Sequence, residues 1–342
     1  MERVRLGKTG LTVSRLGFGG IPIQRLGEAA AVPLLKRCLE LGINFYDTAN
    51  AYTTSEGFIG KAIGGRREGL VLATKSTSRN PEKVMKHLQL SLERLGVDTI
   101  DVYQLHGVDD LETYHSMVTP GGMLATLEKA RSQGKIGHIG ITSHSLDVAK
   151  LAAQSGHFET VQFPFNFVAN EAADELIPIC RQNDVGFIAM KPLGGGMLES
   201  ASLAIKFLMQ FPGVHPIVGV DAIEQIEELV RIADGDLSIT PDEQRRMEQI
   251  AEELGTRYCR HCYYCQPCSQ NILICEVMVF PTYLKRSVPG FYLSGWVADN
   301  MEKAQTCTEC GECEDRCPFK LPIREMLRDN VALFRKLKAS TA

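Results

Sequence analysis

Short apolar runs alternate with longer amphipathic stretches through the first 255 positions of the chain. Runs rich in branched and aromatic residues predict strands at Leu16–Gly20, Ile43–Asp47, Leu70–Thr74, Ile100–Leu105, His138–Ile141, Thr160–Phe163, Gly186–Met190 and His215–Val218. Between them the apolar spacing turns helical. Pro81–Leu95 carries Leu88, Leu92 and Leu95 three to four residues apart, and Leu124–Gln133 repeats the pattern. Eight strands with crossover helices over about 250 residues predict a (β/α)8 TIM barrel. No G-x-G-x-x-G follows the first strand, so a Rossmann dinucleotide site has no support.

A charged helical stretch, Pro241 to Leu254, closes this region, and the composition changes after it. Nine of the eleven cysteines lie between Cys259 and Cys317. The expected organisation is a barrel over 1–255 and a small, mainly helical ferredoxin-like iron–sulfur domain over 256–342. Near the end, Ile323, Met326, Leu327, Val331 and Phe334 recur at helical spacing. They predict a docking helix over Pro322–Leu337 with a solvated basic end.

Composition narrows the partners. The 342 residues are 44% hydrophobic and 23% charged, with a net charge of −4, which offers nothing to nucleic acid or an anionic membrane. No apolar run approaches the roughly 20 residues that span a bilayer. Met1-Glu2-Arg3-Val4-Arg5 lacks the apolar core of a signal peptide, so the expected location is cytoplasmic. There, clustered cysteines indicate metal rather than disulfides.

Cys307-x2-Cys310-x2-Cys313-x3-Cys317-Pro318 is the bacterial ferredoxin run, whose fourth cysteine ligates the other of two [4Fe–4S] clusters. Cys259-x2-Cys262-x2-Cys265-x2-Cys268 supplies the matching half, with its last gap one residue shorter and Ser269 in place of the usual proline. The expected pairing puts Cys259, Cys262, Cys265 and Cys317 on one cluster. Cys268, Cys307, Cys310 and Cys313 then hold the other. Two four-thiolate zinc sites are the competing reading, although zinc sites generally show two separated Cys-x2-Cys pairs. Cys275 is expected to be a buried small hydrophobe or, failing that, a substitute ligand. His261 is expected to face outward.

Three polar residues mark consecutive strand ends: Asp47 ends the second strand, Lys75 follows the third, and His106 follows the fourth. In a barrel these positions converge on the C-terminal rim, and Tyr52 lies within reach. Each alone has a plain structural explanation, as a cap, a surface ammonium or a satisfied polar group. Together they form an acid–base set. A tyrosine hydroxyl with an ordinary pKa of about 10 becomes a usable proton donor beside an ammonium, which a carboxylate holds in place. A histidine donor can share the negative charge developing on a carbonyl oxygen.

These residues sit in stretches that resemble the aldo-keto reductases. The stretches are Leu6-Gly7-Lys8-Thr9-Gly10-Leu11, Leu16-Gly17-Phe18-Gly19-Gly20, Phe45-Tyr46-Asp47-Thr48-Ala49 leading to Tyr52, Ala73-Thr74-Lys75, Leu105-His106, and Gly134-Lys135-Ile136 running into Gly140-Ile141-Thr142-Ser143. The resemblance covers roughly residues 1–250. It implies Tyr52 as general acid, Lys75 and Asp47 as its tuning pair, and His106 as substrate orienter. It further implies nicotinamide contacts from Ser143, Gln162 and Asn166, with Phe165 as a stacking ring. Gly19, Gly20, Leu193, Gly194, Gly219 and Gln225 are the remaining cofactor candidates. Members of the family commonly place cations after the eighth strand to meet the 2′-phosphate of NADPH. Here Gly219 to Gln225 has none and includes Asp221 and Glu224, so NADPH, NADH and no stable nicotinamide binding all stay open.

The expected function is carbonyl/alcohol oxidoreduction on a small molecule, with the clusters serving a redox protein partner. Two alternatives stand beside it. One is a self-sufficient reductase with structural clusters. The other is an electron-transfer or iron–sulfur protein whose barrel is a scaffold.

Overall fold

The computed structural model describes residues 1–341. It opens with a hairpin of β1 (Arg3–Arg5) against β2 (Thr12–Ser14). The sequence pattern does not announce these strands, because three residues are too few for an alternation to register.

Eight parallel strands follow in chain order: β3 (Gly17–Gly19), β4 (Phe45–Asp47), β5 (Val71–Ser76), β6 (Ile100–Leu105), β7 (Ile136–Thr142), β8 (Thr160–Pro164), β9 (Gly186–Met190) and β10 (Val214–Val218). Each pairs with the next, and β10 pairs with β3 to close the barrel. All eight predicted strands are present, with ends displaced by a few residues. Nearly every residue of these strands is buried, as expected for a parallel sheet covered by helices outside and packed side chains inside.

The helix Pro81–Leu95 shows how local sequence sets an element. Asn80 Oδ1 accepts from the Lys83 backbone N–H at 2.9 Å, and Pro81 occupies the first turn, where its missing N–H costs nothing. Gly96, at φ 68°, ends the helix in a left-handed turn. Val84, Leu88, Leu92 and Leu95 form the buried face. Each fully buried leucine contributes about 1.5–3 kcal/mol over an exposed one, as an upper estimate.

The chain separates into two compact units: Met1–Gly194 with Leu198–Ile239, and Gly195–Met197 with the chain from Thr240 onward. The helix Pro241–Gly255, opened by a Thr240–Glu243 capping box, belongs to the second unit. The division therefore falls at Ile239 and not near Gly255. Packing separates the units there, in the non-helical stretch between Ile223–Ala233 and Pro241–Gly255.

The second unit is helical, with Ile274–Met278, Phe280–Arg286, Gly295–Lys303 and Ile323–Thr341 as its main elements. Ile323, Met326, Leu327, Val331 and Phe334 are buried, as the spacing predicts. They pack with Val277, Met278, Phe280 and Met301 of the same unit, and the Phe280 and Phe334 rings meet edge to face at 5.9 Å. The closing helix is thus part of this unit's own core. Its apolar stripe is wide enough to be enclosed by the neighbouring helices.

Candidate functional site

Barrel register brings the rim set together. Asp47 ends β4 beside Ala73, and Lys75 on β5 lies beside Gln104 on β6. Lys75 sits inside its strand, not after it, because pairing with β6 continues through Ser76 and Leu105. Its Nζ donates to Asp47 Oδ1 at 2.5 Å and to the Thr48 carbonyl at 2.7 Å. The ammonium and carboxylate are 1% and 3% exposed, so neither is compensated by bulk water. Burial pulls the Asp47 carboxyl above its ordinary range, against the Lys75 ammonium and hydrogen bonds from Gln104 and Gln162. Gln104 Nε2 donates to Asp47 Oδ2 at 2.9 Å. Space for Gln104 depends on Gly140, where an added Cβ would meet Gln104 Cγ at 3.0 Å and Thr160 Oγ1 at 2.2 Å.

Tyr52 stands in the loop after β4. The Lys75 Nζ is 5.3 Å from the centre of its ring, and the His106 ring is 5.9 Å away, edge on at 82°. His106, directly after β6, is half-buried, and its Nδ1 is buried with no protein partner. Burial, then the Lys75 charge and then His144 hold its pKa well below the usual histidine range, so the ring is neutral at pH 7. All four predicted catalytic side chains are therefore gathered at one point. Gln104 is a site residue that sequence reasoning missed. Its signal was an amide in the otherwise apolar end of the Ile100–Leu105 strand.

The cofactor candidates divide. Gly19 lies beside Asp47 in the β3–β4 register, and an added Cβ on Gly20 would lie 2.5 Å from Ser55 Oγ. Ser143, after β7, donates to Asp109 Oδ1 at 3.3 Å or the Ser145 carbonyl at 3.2 Å. Gln162, on β8, is 3% exposed and hydrogen-bonds Asp47, leaving its Oε1 buried without a partner. Leu193 and Gly194 follow β9, with Gly194 at φ 59°. Gly219 follows β10, and Gln225 Oε1 accepts from the Asp221 backbone N–H at 3.0 Å.

Two candidates do not meet the expectation. Phe165 is fully buried and packed against Phe187, Phe207 and Phe211, with ring centres 5.0–6.0 Å away. It is a core ring with no face to offer a nicotinamide. Asn166 accepts from the backbone N–H groups of Val168 and Ala169 and donates to the Lys191 carbonyl, so it holds its own loop.

In the second unit the two cysteine runs share a backbone form. His261 and Tyr263 both take φ 64°, at the places held in the second run by Glu309 (φ 57°) and Gly311 (φ 84°). In each run a backbone N–H points at the first cysteine: His261 at Cys259 Sγ and Glu309 at Cys307 Sγ, both at 3.4 Å. Cys268, Cys307, Cys310 and Cys313 line one cavity that opens to solvent. Burial pushes the Cys262 thiol up to about 12, and nearby Cys259, Cys265 and Cys317 act in the same direction. Among the described residues no three His, Cys, Asp or Glu side chains are close enough to share a single ion. Thiolates on the corners of a four-iron cube stand further apart than the ligands of one ion.

Cys275 is buried, as expected, but its Sγ lies 3.4 Å from Cys265 Sγ. His261 does not face outward. It is 8% exposed, and its Nε2 meets Glu276 Oε1 at 2.9 Å, because that buried carboxylate needs donors.

A (β/α)8 barrel with a buried lysine–aspartate pair at its rim, in one chain with a helical cysteine-rich unit, is the build of an iron–sulfur oxidoreductase. The chain belongs to the aldo/keto reductase family, whose model matches residues 15–202. Residues 258–322 match the 4Fe-4S dicluster domain, which decides against the zinc reading. Over 265 residues the chain is 29% identical to uncharacterized oxidoreductase C215.11c of Schizosaccharomyces pombe, covering 67% of this chain and 84% of that protein. It is 30% identical to "probable aldo-keto reductase 1" of Glycine max over 215 residues, 57% of this chain and 60% of that one. Among solved structures, aldo-keto reductase AKR11C1 of Bacillus halodurans in its holo form has the same barrel fold. Its TM-score is 0.62 at 24% identity, covering 73% of this chain and 96% of that one. No helix among the described residues is long and apolar enough to cross a membrane.

Proposed function

We propose that the barrel rim interconverts a small-molecule carbonyl and an alcohol with a nicotinamide cofactor. The observation that carries this is the position of Lys75 Nζ, 2.5 Å from Asp47 Oδ1 and 5.3 Å from the centre of the Tyr52 ring. A bound nicotinamide supplies or takes up the hydride. Tyr52 gives its phenolic proton to the carbonyl oxygen, and the fixed charge of Lys75 favours the phenolate left behind. Asp47, itself held by Gln104, keeps Lys75 aimed at the ring. His106, being neutral, has one ring N–H to donate to the same oxygen. The partnerless buried Oε1 of Gln162 suits a carboxamide N–H, which supports a nicotinamide at this rim. Ser143 and Gln162 are the nicotinamide contacts we favour, with Gly19, Gly20, Leu193, Gly194, Gly219 and Gln225 around the rest of the cofactor.

In the second unit we assign two [4Fe–4S] clusters. Cys259, Cys262, Cys265 and Cys317 hold one. Cys268, Cys307, Cys310 and Cys313, which line a common cavity, hold the other. Such clusters supply one-electron transfer, which suits a redox protein as partner. Hydride chemistry moves two electrons, so direct traffic with the rim would need an intermediary. The cytoplasm, which keeps thiols reduced, is the location this ligand set fits.

Anaerobically prepared protein tests the proposal. Tyr52→Phe should lower carbonyl reduction by roughly 10²–10⁴-fold while nicotinamide affinity stays unchanged. Turnover that persists in Tyr52→Phe rejects the acid assignment. Failure of the wild type to bind either nicotinamide rejects the reductase reading.

A further inference from the structure

Two guanidinium groups line the cavity formed by Cys268, Cys307, Cys310 and Cys313, and they are not equivalent. Arg324 is neutralised by Glu314: its Nη2 and Nε donate to Glu314 Oε2 at 2.7 and 3.0 Å. Arg316 is anchored mainly by backbone. Its Nη2 donates to the Pro267 carbonyl at 2.7 Å and the Cys265 carbonyl at 3.2 Å, while the Glu312 carboxylate lies 3.7 Å away. Two carbonyls can aim a guanidinium but cannot cancel its charge. Arg316 is thus a fixed cation on the wall of this cavity, offset only in part by Glu312, which lines the same wall.

A thiolate-bound four-iron cluster is anionic and gains a further negative charge when reduced, so a fixed cation on its wall favours the reduced form. The other cysteine set has a guanidinium of its own, Arg260, held by the Gly255 and Tyr258 carbonyls, but it also has a buried acid. There the buried carboxylate of Glu276 bonds to His261 and Tyr263, the residues on either side of Cys262. Resting on the two-cluster reading above, we propose that Arg316 raises the reduction potential at Cys268, Cys307, Cys310 and Cys313 above that at Cys259, Cys262, Cys265 and Cys317. The solvent-open cavity, where Cys310 is exposed, then becomes the resting place of the transferable electron.

The test uses full-length protein with clusters installed anaerobically, iron analysis, and redox titration followed by electron paramagnetic resonance. Wild type should hold the iron of two four-iron clusters with two separable midpoints; iron for fewer clusters overturns the two-cluster reading itself. Arg316→Gln should keep wild-type iron content and move one midpoint to more negative potential. Arg316→Lys should restore most of that shift, since it keeps the charge and loses the fork. The Arg324→Gln, Glu314→Gln double variant removes a neutral pair and should leave both midpoints in place. Unmoved midpoints in Arg316→Gln, equal movement of both, or an Arg316→Lys variant that behaves like Gln each overturn the assignment. Loss of iron from Arg316→Gln would mark Arg316 as a structural clamp and overturn it as well.

Discussion

Arg25 Nη1 lies 3.4 Å from Asp221 Oδ2, so a cation absent from the Gly219–Gln225 segment is delivered to it from the other side of the β3–β10 junction. The pairing neutralises Asp221, the acid that would repel a 2′-phosphate. Removing Asp221 takes away that acid and leaves the Arg25 charge to favour a phosphate, and charge-assisted hydrogen bonds of this kind contribute about 1.5–3 kcal/mol. Asp221→Ala should therefore shift the ratio of NADPH to NADH affinity toward NADPH by roughly tenfold or more, and Arg25→Ala should shift it the other way. Fluorescence titration with both nucleotides reads the ratio, and a ratio unaffected by either change removes these residues from cofactor choice.

Breaking the rim pair should cost far more than breaking a surface one. Lys75→Met strands the Asp47 carboxylate in a buried site, a loss of roughly 3–5 kcal/mol. Adding Asp47→Asn in the same chain should recover a large part of it, because no unpaired charge remains. Urea unfolding of the barrel compares the variants. Equal stability of the single and double variants would mean that the pair is not buried as described.

Acid should weaken the barrel through His215. This side chain on β10 is 2% exposed, and burial pulls its pKa down to about 4. Unfolded histidine titrates near 6.5. Below that pH the unfolded chain takes up a proton that the folded chain refuses, so stability present above about 6.5 is lost as pH falls toward 4. At pH 5 the loss from this one group is about 2 kcal/mol. His215→Phe should flatten the dependence of barrel stability on pH between 7 and 5. An unchanged slope excludes this histidine as the source.

Glu276 should govern how firmly the first cysteine run keeps its form. Its carboxylate accepts from His261 Nε2 at 2.9 Å and from the hydroxyls of Tyr263 and Tyr283. His261 and Tyr263 are non-glycine residues in the left-handed region, a conformation costing on the order of 1 kcal/mol or more each. The second run uses glycine at the place of Tyr263. Glu276→Gln weakens this set of bonds and should speed iron loss to a chelator several-fold, with little change in helix content by circular dichroism. Iron release at the wild-type rate would show that the run holds its shape without the carboxylate.

Much of the molecule could be read from order and spacing along the chain. The eight strands appear where apolar runs predict them, and Pro81–Leu95 has the predicted bounds because a cap, a proline and a glycine mark its ends locally. The cysteine runs announce an iron–sulfur unit by spacing alone. The same local logic failed for Phe165, whose ring looked available next to Gln162 and turned out to be enclosed by three other phenylalanines. It also failed for His261, whose buried carboxylate partner lies 15 positions away.

The barrel, the cysteine-rich unit and the choice of Asp47, Tyr52, Lys75 and His106 are all legible along the chain, because short-range periodicity and residue type carry that information. Tertiary structure alone decided what surrounds them. Gln104 reaches Asp47 across 57 positions, Arg25 meets Asp221 across the closure of the barrel, and Cys268 joins a cavity with the distant second run. Each of these depends on strand register or helix packing. Those are set by burying apolar surface throughout each unit and leave no mark in the sequence around any one residue.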